Sequence, residues 1–89
     1  MTAQVIGRVQ GIGFRWWIRS RAAELSLTGW VMNDHDERVV ALVAEGRRDD
    51  LDELERQLWH GPSGARVERV DAERGPASGE YHRFDIGRR

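Results

Sequence analysis

The chain has 89 residues, a formal net charge of −1 and no cysteine. That length builds one domain, taken as residues 1–89, around one modest core. Without cysteine there are no disulfides, thiolate metal sites or cysteine nucleophiles, and interspersed acids and bases exclude the broad basic footprint of a nucleic-acid binder.

A short apolar run, Val5, Ile6 and Val9, reads as a first strand. Gly7, Gly11 and Gly13 then open the backbone before an apolar-periodic segment that starts at Phe14. The first helix is predicted from about Phe14 to Leu25, with Phe14, Trp17, Ile18, Ala22 and Leu25 on one buried face and Arg15, Arg19 and Glu24 off it. Trp16 points more sideways, either walling the site at Arg15 or covering the helix edge, and the packing role is expected. Gly29 opens a second strand, Trp30 to Asn33, and Asp34-His35-Asp36-Glu37 is a polar turn. The third strand, Val39 to Ala44, is apolar enough to be central, and the two form a hairpin. Asp49 and Asp50 are suited as caps and as first-turn charges of a second helix whose buried stripe is Leu51, Leu54 and Leu58 and which Gly61-Pro62 ends. A fourth strand spans Arg66 to Glu73, a loop follows from Gly75 to Gly79, and a fifth short strand covers Tyr81 to Ile86. This order suits an α+β ferredoxin-like sandwich, two helices on one face of a mostly antiparallel four- to five-stranded sheet. Arg88 and Arg89 read as a frayed end. No apolar run approaches a membrane span and no charged-then-apolar leader opens the chain, which points to the cytoplasm.

The junction between the first strand and helix carries the chemistry. Strand, glycine loop and helix start leave backbone N–H groups aimed at an anion. Arg15 falls at that helix start, where its charge is slightly unfavourable beside the positive helix dipole unless an anion binds there. Its guanidinium can grip two phosphate oxygens at once. The spacing is not a P-loop, since the chain contains no lysine, and Gly11-Ile12-Gly13 supplies only half of a dinucleotide fingerprint.

The string Val5-Ile6-Gly7-Arg8-Val9-Gln10-Gly11-Ile12-Gly13-Phe14-Arg15 closely resembles the signature of the acylphosphatase family, V-x-G-x-V-Q-G-V-G-F-R, with Ile12 a conservative difference. A second family segment, G-W-V-x-N, appears as Gly29-Trp30-Val31-Met32-Asn33, and Gly61-Pro62 and Phe84-Asp85-Ile86 also fall where the family has them. The resemblance implies the same ferredoxin-like fold and hydrolysis of the carboxyl–phosphate bond of acyl phosphates, giving a carboxylate and inorganic phosphate without a cofactor. It implies that Arg15 and the backbone N–H groups of Gln10, Gly11, Ile12, Gly13, Phe14 and Arg15 hold the phosphoryl group. It also implies that Asn33 orients the attacking water; by residue type alone Asn33 reads as ordinary turn chemistry. One departure stands out. Where the family has an Asp-Gly turn after this asparagine, the chain has Asp36-Glu37 in a longer interval, which threatens the placement of Asn33 or the hairpin register.

His35, His60 and His82 are scattered without ligand spacing, so no metal site is expected. Asp49, Asp50, Asp52, Glu53 and Glu55 read as a solvated helix face. The sequence is therefore read as a small cytoplasmic, monomeric hydrolase that takes an acyl phosphate and releases phosphate, with no metal, cofactor, nucleic-acid or membrane partner. The rival is a non-catalytic acylphosphatase-like module that binds phosphate or a partner. An RNA-binding module of similar topology would need aromatic-basic strand signatures that are missing.

Overall fold

The computed structural model describes residues 1–87, so Arg88 and Arg89, expected to fray, lie outside the described residues. The elements are β1 (Thr2–Arg8), α1 (Phe14–Glu24), β2 (Thr28–Asn33), β3 (Val39–Glu45), α2 (Arg48–His60), β4 (Arg66–Glu73) and β5 (Phe84–Ile86). They form one sheet in the order β4-β1-β3-β2-β5. β1 and β2 both run antiparallel to the β3 that separates them, and are therefore parallel to each other. The loops that leave their C-terminal ends consequently emerge at one end of the sheet. β3 and β4 are split around β1 in the same way, and β5 adds to β2 in parallel. This is the ferredoxin-like sandwich, with five strands and β3 at the centre.

Period-two burial fixes the covered face. Val40, Leu42 and Ala44 of β3 are buried, while Val39, Ala41, Val43 and Glu45 between them are half-buried, the pattern of a sheet covered on one side. The helices supply Phe14, Ile18 and Ala22 from α1 and Leu51, Leu54 and Leu58 from α2. Trp17 and Leu25 lie at the margin of this core, Trp17 meeting Phe14 edge-on with 5.5 Å between ring centroids.

Three expectations are refined. Trp16 lies along its own helix against Arg19, whose guanidinium sits 5.3 Å from its ring centroid, but stays 60% exposed. Asp49 and Asp50 serve α2 as the expected first-turn charges, which suit the helix dipole, but not as caps: Arg47 occupies the cap position without a side-chain bond. The fifth strand begins at Phe84 rather than Tyr81, because the chain before it is tied elsewhere. The Glu45 carboxylate accepts from the Ser78 N–H at 2.8 Å, the Ser78 hydroxyl at 2.9 Å and the Gly79 N–H at 3.1 Å. These bonds, that from the Ser78 N–H foremost, hold the Glu45 carboxyl below its ordinary pKa. The Tyr81 hydroxyl in turn accepts from Trp30 Nε1 at 3.3 Å.

β1 and β4 pair in regular register until Ile6, where the ladder shifts: Ile6 faces Arg69 but Gly7 faces Val67. The bulge brings backbone unusually close. A Cβ on Gly7 would lie 2.0 Å from the Arg66 carbonyl oxygen, and its φ of 148° also disfavours a side chain. Gly7→Ala is expected to destabilise the fold by about 3 kcal/mol, as overpacking against rigid backbone does. Urea unfolding would read this as a lower midpoint with unchanged slope; a midpoint equal to wild type would show that the approach relaxes freely.

Candidate functional site

The loop between β1 and α1 carries two left-handed glycines, Gly11 and Gly13, each with a φ of 78°. Gly13 is the residue before the helix, and no side chain caps it. The first helical bond runs from the Trp17 N–H to the Gly13 carbonyl at 3.0 Å, so the N–H groups of Phe14, Arg15 and Trp16 are the helix's orphan donors. Among the described residues, the backbone N–H groups from Gln10 to Trp16 find no acceptor. Positive-φ residues of this kind are what backbone anion nests use to turn successive N–H groups toward one point. A Cβ on Gly13 would meet nothing within 4 Å, so the position needs the glycine conformation rather than the space. Ile12 packs against the core and Phe14 is 1% exposed, so the loop is anchored at its middle and its end. Gln10, Gly11, Ile12, Gly13, Phe14 and Arg15 thus run from this loop into the first turn of α1.

Arg15 is half-buried at the second position of α1. It makes no hydrogen bond or ion pair with any described residue, whereas Arg21 pairs with Glu24 at 2.9 Å and Arg19 lies over Trp16. A guanidinium at a helix N-terminus is repelled by the dipole, and an anion in the loop would reverse that sign.

Asn33 is the last residue of β2, half-buried and opposite Val40. The altered turn does not shift the hairpin register: pairing runs unbroken from Thr28 opposite Glu45 to Asn33 opposite Val40. The turn closes through its own polar groups. The Asp36 N–H donates to Asp34 Oδ2 at 3.1 Å, the Arg38 N–H to Asp36 Oδ1 at 2.9 Å, and the Val39 N–H to the Asp36 carbonyl at 3.0 Å. No residue of this turn adopts a positive φ, which is the physical reason Glu37 can stand where the family has glycine.

The two loops are fastened to each other. The Gly7 N–H donates to the Arg38 carbonyl at 2.8 Å. Gln10 Nε2 donates to the carbonyls of Val39 at 2.8 Å, Asp36 at 3.0 Å and Asp34 at 3.3 Å. The Arg38 guanidinium also pairs with Glu68 of β4. The sequence pointed to the Gln10 backbone but not to its carboxamide. Those three carbonyls lie 24 to 29 residues away, and nothing local announces them. The histidines are separate: His35 in the turn, His60 at the end of α2 and His82 before β5. Among the described residues, no three His, Cys, Asp or Glu side chains group as a metal would require.

A family model described as Acylphosphatase matches residues 1–86. An acylphosphatase of Mycobacterium sp. strain KMS is 52% identical over 73 residues, covering 82% of this chain and 77% of the relative. One from Salinibacter ruber is 43% identical over 88 residues, covering 99% and 92%. The crystal structure of acylphosphatase from Bacillus subtilis superposes with a TM-score of 0.90 at 33% identity, covering 98% of this chain and 96% of that one.

Proposed function

The chain belongs to the acylphosphatase family, and on that premise we propose that its hydrolysis of acyl phosphates takes place in the loop of residues 10 to 15, with Arg15 and Asn33 in the two chemical roles. The observation that carries this reading is the run of N–H groups from Gln10 to Trp16 without acceptors, next to an Arg15 without a counterion, among the described residues. Three phosphoryl oxygens supply what both lack. The N–H groups and the Arg15 fork hold them, and they do so most strongly as charge spreads over the equatorial oxygens in the transition state. Asn33 offers both a donor and an acceptor. Its carboxamide holds a water in line with the leaving carboxylate. The water oxygen attacks phosphorus, the bond from phosphorus to the acyl oxygen breaks, and the bonding pair leaves on the carboxylate. The water's proton passes to a phosphate oxygen. Acyl phosphates carry a good leaving group, so positioning and charge stabilisation suffice without a strong base.

The non-catalytic alternative is not favoured: the relatives that match are named as enzymes, and both Arg15 and Asn33 are retained. The same reading takes residues 1–89 as one domain, acting as a cytoplasmic monomer on a small molecule, without metal, cofactor, nucleic acid or membrane. No helix among the described residues is long and apolar enough to cross a membrane.

A metal-free assay with a simple acyl phosphate tests it. Turnover is expected to be unchanged by EDTA and dialysis, and inorganic phosphate is expected to inhibit competitively. Loss of activity on chelation, restored by a divalent metal, would contradict this mechanism.

A further inference from the structure

We propose that the Gln10 side chain is a positioning residue for hydrolysis, acting through Asn33 by clamping the β2–β3 turn to the phosphate loop. The inference rests on the roles just assigned to Arg15 and Asn33. Gln10 belongs by its backbone to the phosphate loop, and by its carboxamide to the opposite side of the site. Its Nε2 faces three carbonyl oxygens, those of Val39, Asp36 and Asp34, at 2.8, 3.0 and 3.3 Å. Only a donor nitrogen can stand among three acceptors, so the orientation of the amide is set by its surroundings.

The choice of carbonyls gives the clamp its purpose. Asp34 follows Asn33 directly. The Asp34 N–H donates to the Val39 carbonyl at 3.0 Å, closing the ladder just beyond Asn33. That same Val39 oxygen takes the shortest of the Gln10 bonds, so both of its lone pairs are committed at the point where Asn33 leaves the sheet. The turn has no core side chain to fix it: Asp34 is only half-buried, and His35, Asp36, Glu37 and Arg38 are exposed. Among the described residues, the turn is tied to the phosphate loop by Gln10 and by the bond from the Gly7 N–H to the Arg38 carbonyl, just beyond the β1–β3 ladder that ends with Ile6 opposite Val39. Removing the carboxamide lets the turn, and Asn33 with it, drift from the bound phosphoryl group. A water held by Asn33 then loses its line of attack, and a displacement of about 1 Å can cost a hundredfold in rate. Phosphate binding, made by N–H groups and Arg15, is left nearly intact.

The signature of this role is therefore a split between kcat and affinity, together with non-additivity with Asn33. Gln10→Met keeps length and removes the donor; Gln10→Asn keeps the amide and loses the reach. Each is expected to lower kcat about ten- to a hundredfold while the inhibition constant for inorganic phosphate stays within about twofold. In an Asn33→Ala background Gln10→Met is expected to cause almost no further loss, because the two act in series. If Asn33→Ala alone keeps wild-type turnover, the assignment of the site itself fails. If Asn33→Ala is impaired and Gln10→Met still exerts its full effect on top of it, the site stands and the Gln10 proposal fails. Full kcat in a folded Gln10→Met or Gln10→Asn protein, or phosphate affinity falling in step with kcat in either, overturns it too.

Discussion

Arg15→Ala is expected to lose phosphate binding and turnover together, with kcat/KM falling roughly a hundredfold or more. The loss is two-sided because the guanidinium meets phosphoryl oxygens in the ground state as well as in the transition state. The fold should not suffer. Arg15 makes no hydrogen bond or ion pair with a described residue, and removing a charge that the helix dipole repels costs no native contact of that kind. Unfolding midpoints at or slightly above wild type should therefore accompany the inactive variant. Arg15→Lys should remain badly impaired, since a single ammonium cannot reproduce the planar two-pronged contact. An Arg15→Ala enzyme with wild-type kinetics would remove the residue from the site.

Asn33→Ala is expected to act differently: kcat falls roughly a hundredfold, while the inhibition constant for phosphate hardly moves. Orienting water matters to the attack and little to holding the anion. Asn33→Asp keeps the size of the side chain but sets a carboxylate against the phosphoryl charge, and should weaken phosphate binding as well. Steady-state kinetics with phosphate as the inhibitor separates these outcomes. Equal losses in kcat and phosphate affinity for Asn33→Ala would place the asparagine on the anion instead of the water.

Local patterns make much of this molecule legible in its sequence. The Leu51, Leu54 and Leu58 stripe and the Phe14, Ile18 and Ala22 stripe are buried as their spacing demands, and Val39 to Ala44 lies in the central strand. Helical and strand periods depend on a buried face alone, which a sequence displays directly. The glycine loop is equally visible, because three closely spaced glycines between a strand and an apolar-periodic start mark a junction, and Gly13 there takes a positive φ before an uncapped helix. What stayed hidden depends on partners distant in sequence. Tyr81 looked like strand, yet it meets Trp30, and the preceding Ser78 and Gly79 bond Glu45 instead of a neighbouring strand. Asp49 and Asp50 suit both a cap and a first turn; α2 begins one residue before Asp49, so they take the second role, and boundaries of that kind are the least determined by local chemistry. Trp16 reads as cover for the helix edge, and it lies there against Arg19, but the extent of its exposure depends on which α1 side chains the core takes, here Phe14, Ile18 and Ala22. Gln10 carries the plainest lesson. Its side chain binds across the site to carbonyls that only the tertiary fold brings within reach.

The placement of the phosphoryl group in the β1–α1 loop can be read at single residues by titrating isotopically labelled protein with inorganic phosphate and following the backbone amide signals. Saturable shifts concentrated at Gly11, Ile12, Gly13, Phe14 and Arg15, with a dissociation constant equal to the kinetic inhibition constant and lost in Arg15→Ala, are the expected result. Shifts that saturate at another surface while the amides of residues 10 to 15 stay still, in protein that hydrolyses acyl phosphate, would contradict it.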